Sequence, residues 1–282
     1  PEMVIRCVNW ILTHSLYKMD VKGLENIPKE GGALIICNHV AYVDPPIILA
    51  ATRRPVRFLM FRPIYEAPFI HTIAKAAGAI PISPENPKRM LKSIQEAREA
   101  VENGELVCIF AEGELTRIGH MLSFKKGFER IMKGLDAPVI PAFIDQIWGS
   151  IFSHRDGKLF WKIPKQIPYP VTLAFGKPLA SSTPAHLVRQ TIQELSADLA
   201  LIRKERYPSL QSAFLHVCKS KMFARCVSDS SGHKLRYLEL LIASLGVAAK
   251  LKTLGKPSAR VGVLLPPSVG GGVANTALAA AQ

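Results

Sequence analysis

Cysteine is scarce in this sequence and never closely paired. Five occur in 282 residues, Cys7, Cys37, Cys108, Cys218 and Cys226, with no C-x-x-C among them. That excludes a disulfide scaffold and a cysteine zinc site, and it fits a reducing compartment. The eight histidines form no H-E-x-x-H or H-x-H cluster, so neither a bound metal nor another resident cofactor is expected. Long apolar runs are missing as well. A spanning helix needs about 20 apolar residues, and the best stretch, residues 4–17, is broken by Arg6, Asn9 and His14. Its apolar residues Val4, Ile5, Val8, Ile11, Leu12 and Leu16 recur at helical spacing, which describes a face and not a span. Two placements fit that face: a lipid interface, with Trp10 and Tyr17 near the headgroups, or the protein's own core. A second uncharged stretch, 261–282, is interrupted by Pro266-Pro267 and three consecutive glycines and reads as strand, turn and helix.

Acidic residues are also in deficit, 22 Asp+Glu against 36 Lys+Arg, for a formal charge of +14. Residues 206–282 hold 10 Lys+Arg and 2 Asp+Glu, while 1–205 hold 26 and 20. No RNP aromatic pattern, zinc finger or long basic helix accompanies the charge, so nucleic acid is not expected as a partner. Anionic lipid, phosphate-bearing substrates or an acidic carrier protein suit it. No signal-peptide pattern is visible, and the expected location is peripheral, on the cytoplasmic face of a membrane. The start at Pro1 and the helical phase running to Gln282 suggest an excerpt of a longer protein.

What is present is alternation. Short apolar runs at 33–37, 56–60, 79–82, 106–110, 139–143 and 171–175 are separated by helical candidates at about 45–52, 64–77, 87–103 and 124–134. This predicts an α/β fold, a largely parallel sheet flanked by helices. A long helix at about 184–205 follows, with Thr183-Pro184 as its opening. Four segments are expected: an amphipathic helix over 1–19, a main domain over 20–205, a linker over 206–220 and a new unit over 221–282. The last reads as strand (222–227), turn, helix (236–253), strand (260–265) and helix.

The first strand delivers the chain to Asn38-His39-Val40-Ala41-Tyr42-Val43-Asp44. A carboxylate bonded to one imidazole nitrogen fixes the tautomer and leaves the other nitrogen to accept a proton. Asp44 before Pro45-Pro46 is equally a good helix N-cap. Strand 106–110 ends in Ala111-Glu112-Gly113-Glu114-Leu115-Thr116-Arg117, and Lys125-Lys126-Gly127 then opens a helix. Glycine permits close backbone approach, and Arg offers a planar fork for phosphate oxygens. Such residues are also ordinary solvated loop cations. Two polar loops at the carboxyl ends of strands in one sheet nevertheless mark where α/β ligand sites lie. Cys37, two residues from His39 along a strand, is a further candidate nucleophile or else a buried thiol.

The order N-H-x-x-x-x-D, F-x-E-G-x-x-x-R, V-I-P resembles the glycerolipid acyltransferases of the lysophosphatidic acid acyltransferase type over about 20–205. The resemblance implies that His39 deprotonates a glycerol hydroxyl, that Asp44 orients it, and that Asn38, Glu112, Gly113 and Arg117 serve acceptor binding. It implies no cofactor beyond an acyl thioester of acyl carrier protein or coenzyme A as co-substrate. Here Ala111 replaces the usual proline, Glu114-Leu115 displaces Thr116-Arg117, and Ile82-Ser83-Pro84 stands where an arginine is usual; Arg62, Lys88 or Arg89 is the candidate substitute. Lys125 and Lys126 are further phosphate candidates. Residues 221–282 look like the opening of an adenylate-forming acyl ligase, as in the bacterial branch where the acyltransferase is fused to an acyl-acyl-carrier-protein synthetase (2-acylglycerophosphoethanolamine acyltransferase-like). The implied function is transfer of a fatty acyl group to a lysophospholipid or 1-acylglycerol-3-phosphate. The alternative is a non-catalytic membrane-surface lipid-binding or docking module of a larger enzyme.

Overall fold

A computed structural model describes residues 2–157, 166–204, 207–254 and 261–281. The chain divides into two compact units, Pro1–Ala200 and Leu201–Gln282. The first contains, in order, α1 (Glu2–Leu16), β1 (Tyr17–Lys22), β2 (Ala33–Cys37), α2 (Asp44–Ala51), β3 (Val56–Phe61), α3 (Arg62–Tyr65), α4 (Ile70–Ala76), β4 (Ile80–Ile82), α5 (Pro87–Glu102), β5 (Leu106–Phe110), α6 (Gly127–Met132), β6 (Val139–Asp145) and β7 (Tyr169–Phe175), and α7 (Ala185–Lys204) begins in it.

Seven strands form one sheet in the order β1-β7-β6-β2-β5-β3-β4. Every pairing is parallel except β6 with β7. The carboxyl ends of β2, β3, β4, β5 and β6 therefore share one edge. β2, in the middle, is a continuous apolar run, Ala33-Leu34-Ile35-Ile36-Cys37, because helices cover both faces of a parallel sheet. Its side chains alternate between two cores. Ala33, Ile35 and Cys37 pack with Ile47 and Ile48 of α2, whereas Leu34 and Ile36 pack with Ala97, Phe128, Ile131 and Val188. Burying each large apolar side chain stabilises the fold by roughly 1.5–3 kcal/mol.

Three elements depart from the pattern expected above. β1 was not expected; its sequence Tyr17-Lys18-Met19-Asp20-Val21-Lys22 alternates charges because it is an edge strand bonded only to β7. The expected 64–77 helix is two pieces, α3 and α4, separated around Pro68, where a missing N–H breaks the ladder. In the second unit, most of the expected 206–220 linker forms α8 (Leu210–Lys221), opened by Ser209, whose hydroxyl accepts from the Ser212 N–H.

α1 is oriented polar side in. Arg6 donates to the carbonyls of Thr52 (3.0 Å) and Arg53 (2.9 Å), Asn9 to Pro46 (2.9 Å), and Thr13 is buried. Its outward side carries Met3, Val4, Val8, Trp10, Ile11, Leu12 and Leu16, all exposed. Of the apolar residues at helical spacing, Ile5 is half-buried, and the rest of that side does not pack on the core of this unit among the described residues.

The second unit holds α8, a two-stranded antiparallel pair β8 (Arg225–Ser228) and β9 (Lys234–Arg236), then α9 (Tyr237–Leu254) and α10 (Val269–Ala281) packed on each other. The expected 260–265 strand begins outside the described residues; 261–265 are not strand, with Leu264 fully exposed, since no neighbouring strand among the described residues pairs with them.

Candidate active site

The register Cys37↔Phe110 aligns the ends of β2 and β5, so the loops after them leave the sheet side by side. α2 opens with Pro45 and Pro46 in its first turn, where no N–H is needed, but Asp44 does not cap it. The fully buried carboxylate folds back instead. Its Oδ2 accepts from the Val40 N–H (2.7 Å), the Ala41 N–H (2.9 Å) and His39 Nδ1 (2.9 Å). With Nδ1 donating, His39 Nε2 is the proton acceptor, and it has no partner among the described residues. The ring lies flat on Phe110, centroids 4.0 Å apart and planes 14° apart, and Phe58 continues the stack. The His39 side chain keeps 18% exposure, so a substrate can reach one edge of it.

Glu112 and Asn38, expected to bind the acceptor, turn their polar atoms into the protein. Glu112 is buried; Oε1 accepts the His39 N–H (2.8 Å) and Oε2 the Leu122 N–H (2.6 Å). Burial pushes this carboxyl above its ordinary range, and those two bonds work the other way. Asn38 is equally buried: its Oδ1 accepts from the Ile144 N–H (2.7 Å) and its Nδ2 donates to the Ile144 carbonyl (3.1 Å). A carboxylate aimed at a phosphate would repel it, so bracing the loops is the better use of Glu112.

The cations all lie on the stretch between β5 and α6. Thr116 donates its N–H to the His39 carbonyl (3.0 Å), which places Arg117 one residue from the imidazole's backbone. Gly113 has φ 77°, and the Lys125 side chain runs where a Cβ would stand, its Nζ 2.6 Å from that position. The positive φ is what favours glycine here, since the flexible lysine end could swing aside from a Cβ. Arg117, Lys125 and Lys126 are exposed, and their side chains have no hydrogen-bond partner among the described residues. Arg62 differs: Nε donates to Ser83 Oγ (2.8 Å) and Nη1 to Glu66 (3.1 Å), tying together the carboxyl ends of β3 and β4. It is a clamp between strands, engaged before any ligand arrives.

Cys37 is fully buried, and burial pushes its thiol far up. That is the wrong environment for a nucleophile, and the thiol packs as a small hydrophobe. The Phe110 ring support was not foreseen; its signal was the alignment of the two strand ends. A cavity of about 450 Å³ adjoins this edge, walled by Asn38, Glu112, Phe143, Trp148 and Arg189, but neither His39 nor Arg117 lines it. Among the described residues no cluster of His, Cys, Asp or Glu could hold a metal ion, and no helix is long and apolar enough to cross a membrane.

A family model described as Acyltransferase matches residues 18–145, the stretch that builds this edge. Over those residues the chain is similar to the acyltransferases that this model describes. The chain is 28% identical to the 1-acyl-sn-glycerol-3-phosphate acyltransferase of Bacillus subtilis, over 58% of this chain and 74% of that one. To the enzyme of the same name from Borreliella burgdorferi it is 27% identical, over 49% and 56%. The crystal structure of the 1-acyl-sn-glycerophosphate acyltransferase of Thermotoga maritima superposes with a TM-score of 0.55 at 22% identity, covering 73% of this chain and 81% of that one, which shows the shared fold. The chain spans 37–61% of the length of the first curated relatives it matches.

Proposed function

We propose that the acyltransferase-family domain moves a fatty acyl group from a thioester of acyl carrier protein or coenzyme A to a free hydroxyl of a lysophospholipid or 1-acylglycerol-3-phosphate. The observation that carries this reading is the His39–Asp44 contact at 2.9 Å, with the second ring nitrogen left without a protein partner among the described residues and the side chain 18% exposed. His39 Nε2 takes the hydroxyl proton as the alkoxide oxygen attacks the thioester carbon. The tetrahedral intermediate collapses, the C–S bond breaks, and the thiolate leaves with that proton. Asp44 holds the ring and stabilises the imidazolium, while the acceptor itself is the nucleophile. Arg117, Lys125 and Lys126 hold the acceptor phosphate, so the reaction proceeds within an assembled complex.

The outward apolar side of α1 rests in the lipid surface that holds the acceptor, with the basic chain drawn to anionic headgroups on the cytoplasmic face. Residues 221–282 are the opening of an adenylate-forming ligase domain, fused to the acyltransferase in the full-length protein. The test is product analysis of radiolabelled acyl transfer against a panel of lysophospholipids, with both donors in parallel and no ATP. A new diacyl phospholipid, absent with His39→Ala, is expected. Binding of lysophospholipid without any ester formed would leave only the lipid-docking module.

A further inference from the structure

Four exposed apolar side chains lie at the end of β3 and in the connection that leaves it: Phe61 (45% exposed), Phe69 (89%), Ile70 (41%) and Ile73 (55%). Surface apolar residues ordinarily stand singly; a group of this kind marks a contact. The backbone at Phe69 adds a second observation. Its φ of 67° with ψ −39° lies outside the left-handed helical region, near the rare γ-turn of positive φ. Strain retained at an aromatic that covers almost nothing of its own protein points to something outside it.

Position and charge select the occupant. Arg62, bonded to Ser83 beyond β4, holds the start of this connection at the carboxyl edge of the sheet, the edge on which His39 stands. His71 and Lys75 are interleaved with the apolar residues; Glu66 is the one acid, and it is paired with Arg62. Aromatic and aliphatic side chains with basic residues between them form the composition of a lipid-interface segment. The patch is too small for a stable protein contact: four side chains offer on the order of 400 Å², against about 800 Å² per partner.

We infer that the α3–α4 connection, led by Phe69, is a lipid contact separate from α1, dipping into an anionic bilayer beside the groove of His39. This rests on the reading that the acceptor is a membrane lipid, and it adds that the groove is held against the surface at two places. The lysophospholipid then passes sideways into the groove without crossing water.

The test is sedimentation with vesicles of phosphatidylcholine and phosphatidylglycerol, using the full chain. Phe69→Ser combined with Ile73→Ser, with α1 intact, is expected to bind about tenfold more weakly, the loss of burying such side chains in lipid. Acyl transfer to a vesicle-borne lysophospholipid should fall with it, while transfer to a short-chain, monodisperse one holds. Phe69→Gly relieves the strain, so it should bind vesicles more weakly with a Tm no lower than the parent's. His39→Ala should bind vesicles as the parent does, which separates this contact from the catalytic reading. Unchanged vesicle binding in the double variant would overturn the inference. So would a lower Tm in Phe69→Gly, or a change of oligomeric state in the ultracentrifuge in place of lost lipid binding.

Discussion

The loop after β2 and the loop after β5 meet at one edge but are built in opposite ways. In the first, Asp44 takes three N–H donors on a single oxygen, Asn38 is tied to both backbone atoms of Ile144, and Phe110 supports the imidazole. In the second, Arg117, Lys125 and Lys126 reach solvent without a protein partner among the described residues. Preorganised groups lose little freedom at the moment of reaction, while solvated cations adapt to what they bind. The contrast is between a fixed imidazole and adjustable cations, which the proposed reaction uses as proton acceptor and anion grip.

The sharpest way to break that contrast is His39→Ala, which should lower kcat by about 10²–10⁴ with the acceptor KM little changed. Asp44→Asn should cost about 10² or more in kcat by losing the imposed tautomer, and a far-ultraviolet spectrum like the parent's would show that the fold survives. Glu112→Gln removes one of two acceptors for buried N–H groups and should destabilise the first unit by about 1–3 kcal/mol. Its pH signature is specific. Burial raises the folded-state value above the ordinary 4.5, so as pH rises from there the unfolded chain loses the proton first and stability declines. Thermal melts of Glu112→Gln across that window should lack that decline. Arg117→Ala should act mildly, raising the acceptor KM roughly tenfold with kcat nearly intact. A fall in kcat alone would place Arg117 with the fixed group instead.

Much of the fold was legible because central strands of a parallel sheet are unbroken apolar runs, as at Ala33–Cys37 and Leu106–Phe110. β1 was not, since an edge strand with Lys18, Asp20 and Lys22 carries no such run. Helical period told where α1 and α5 lie but not which side each turns inward. α5 buries Ile94, Ala97 and Val101, as a soluble helix should, with Asn86 capping its first turn; α1 buries Thr13, turns the half-buried Asn9 to the Pro46 carbonyl and leaves most of its apolar side out. At the site, the spacing of His39 and Asp44 announced their contact. Spacing is silent on where a carboxylate points, so Glu112 was read as a ligand group when it is a brace.

That brace has a practical consequence. Glu112 joins the His39 amide to the Leu122 amide, and Thr116 alone of the intervening residues is tied to His39, so the stretch between is fastened at its neck. Its crown, from Ile118 to His120, can be rewritten without shifting the imidazole, whereas Gly113, Thr116 and Arg117 must stay. A designer seeking a different acceptor would therefore graft new crowns onto this neck and leave β2 alone.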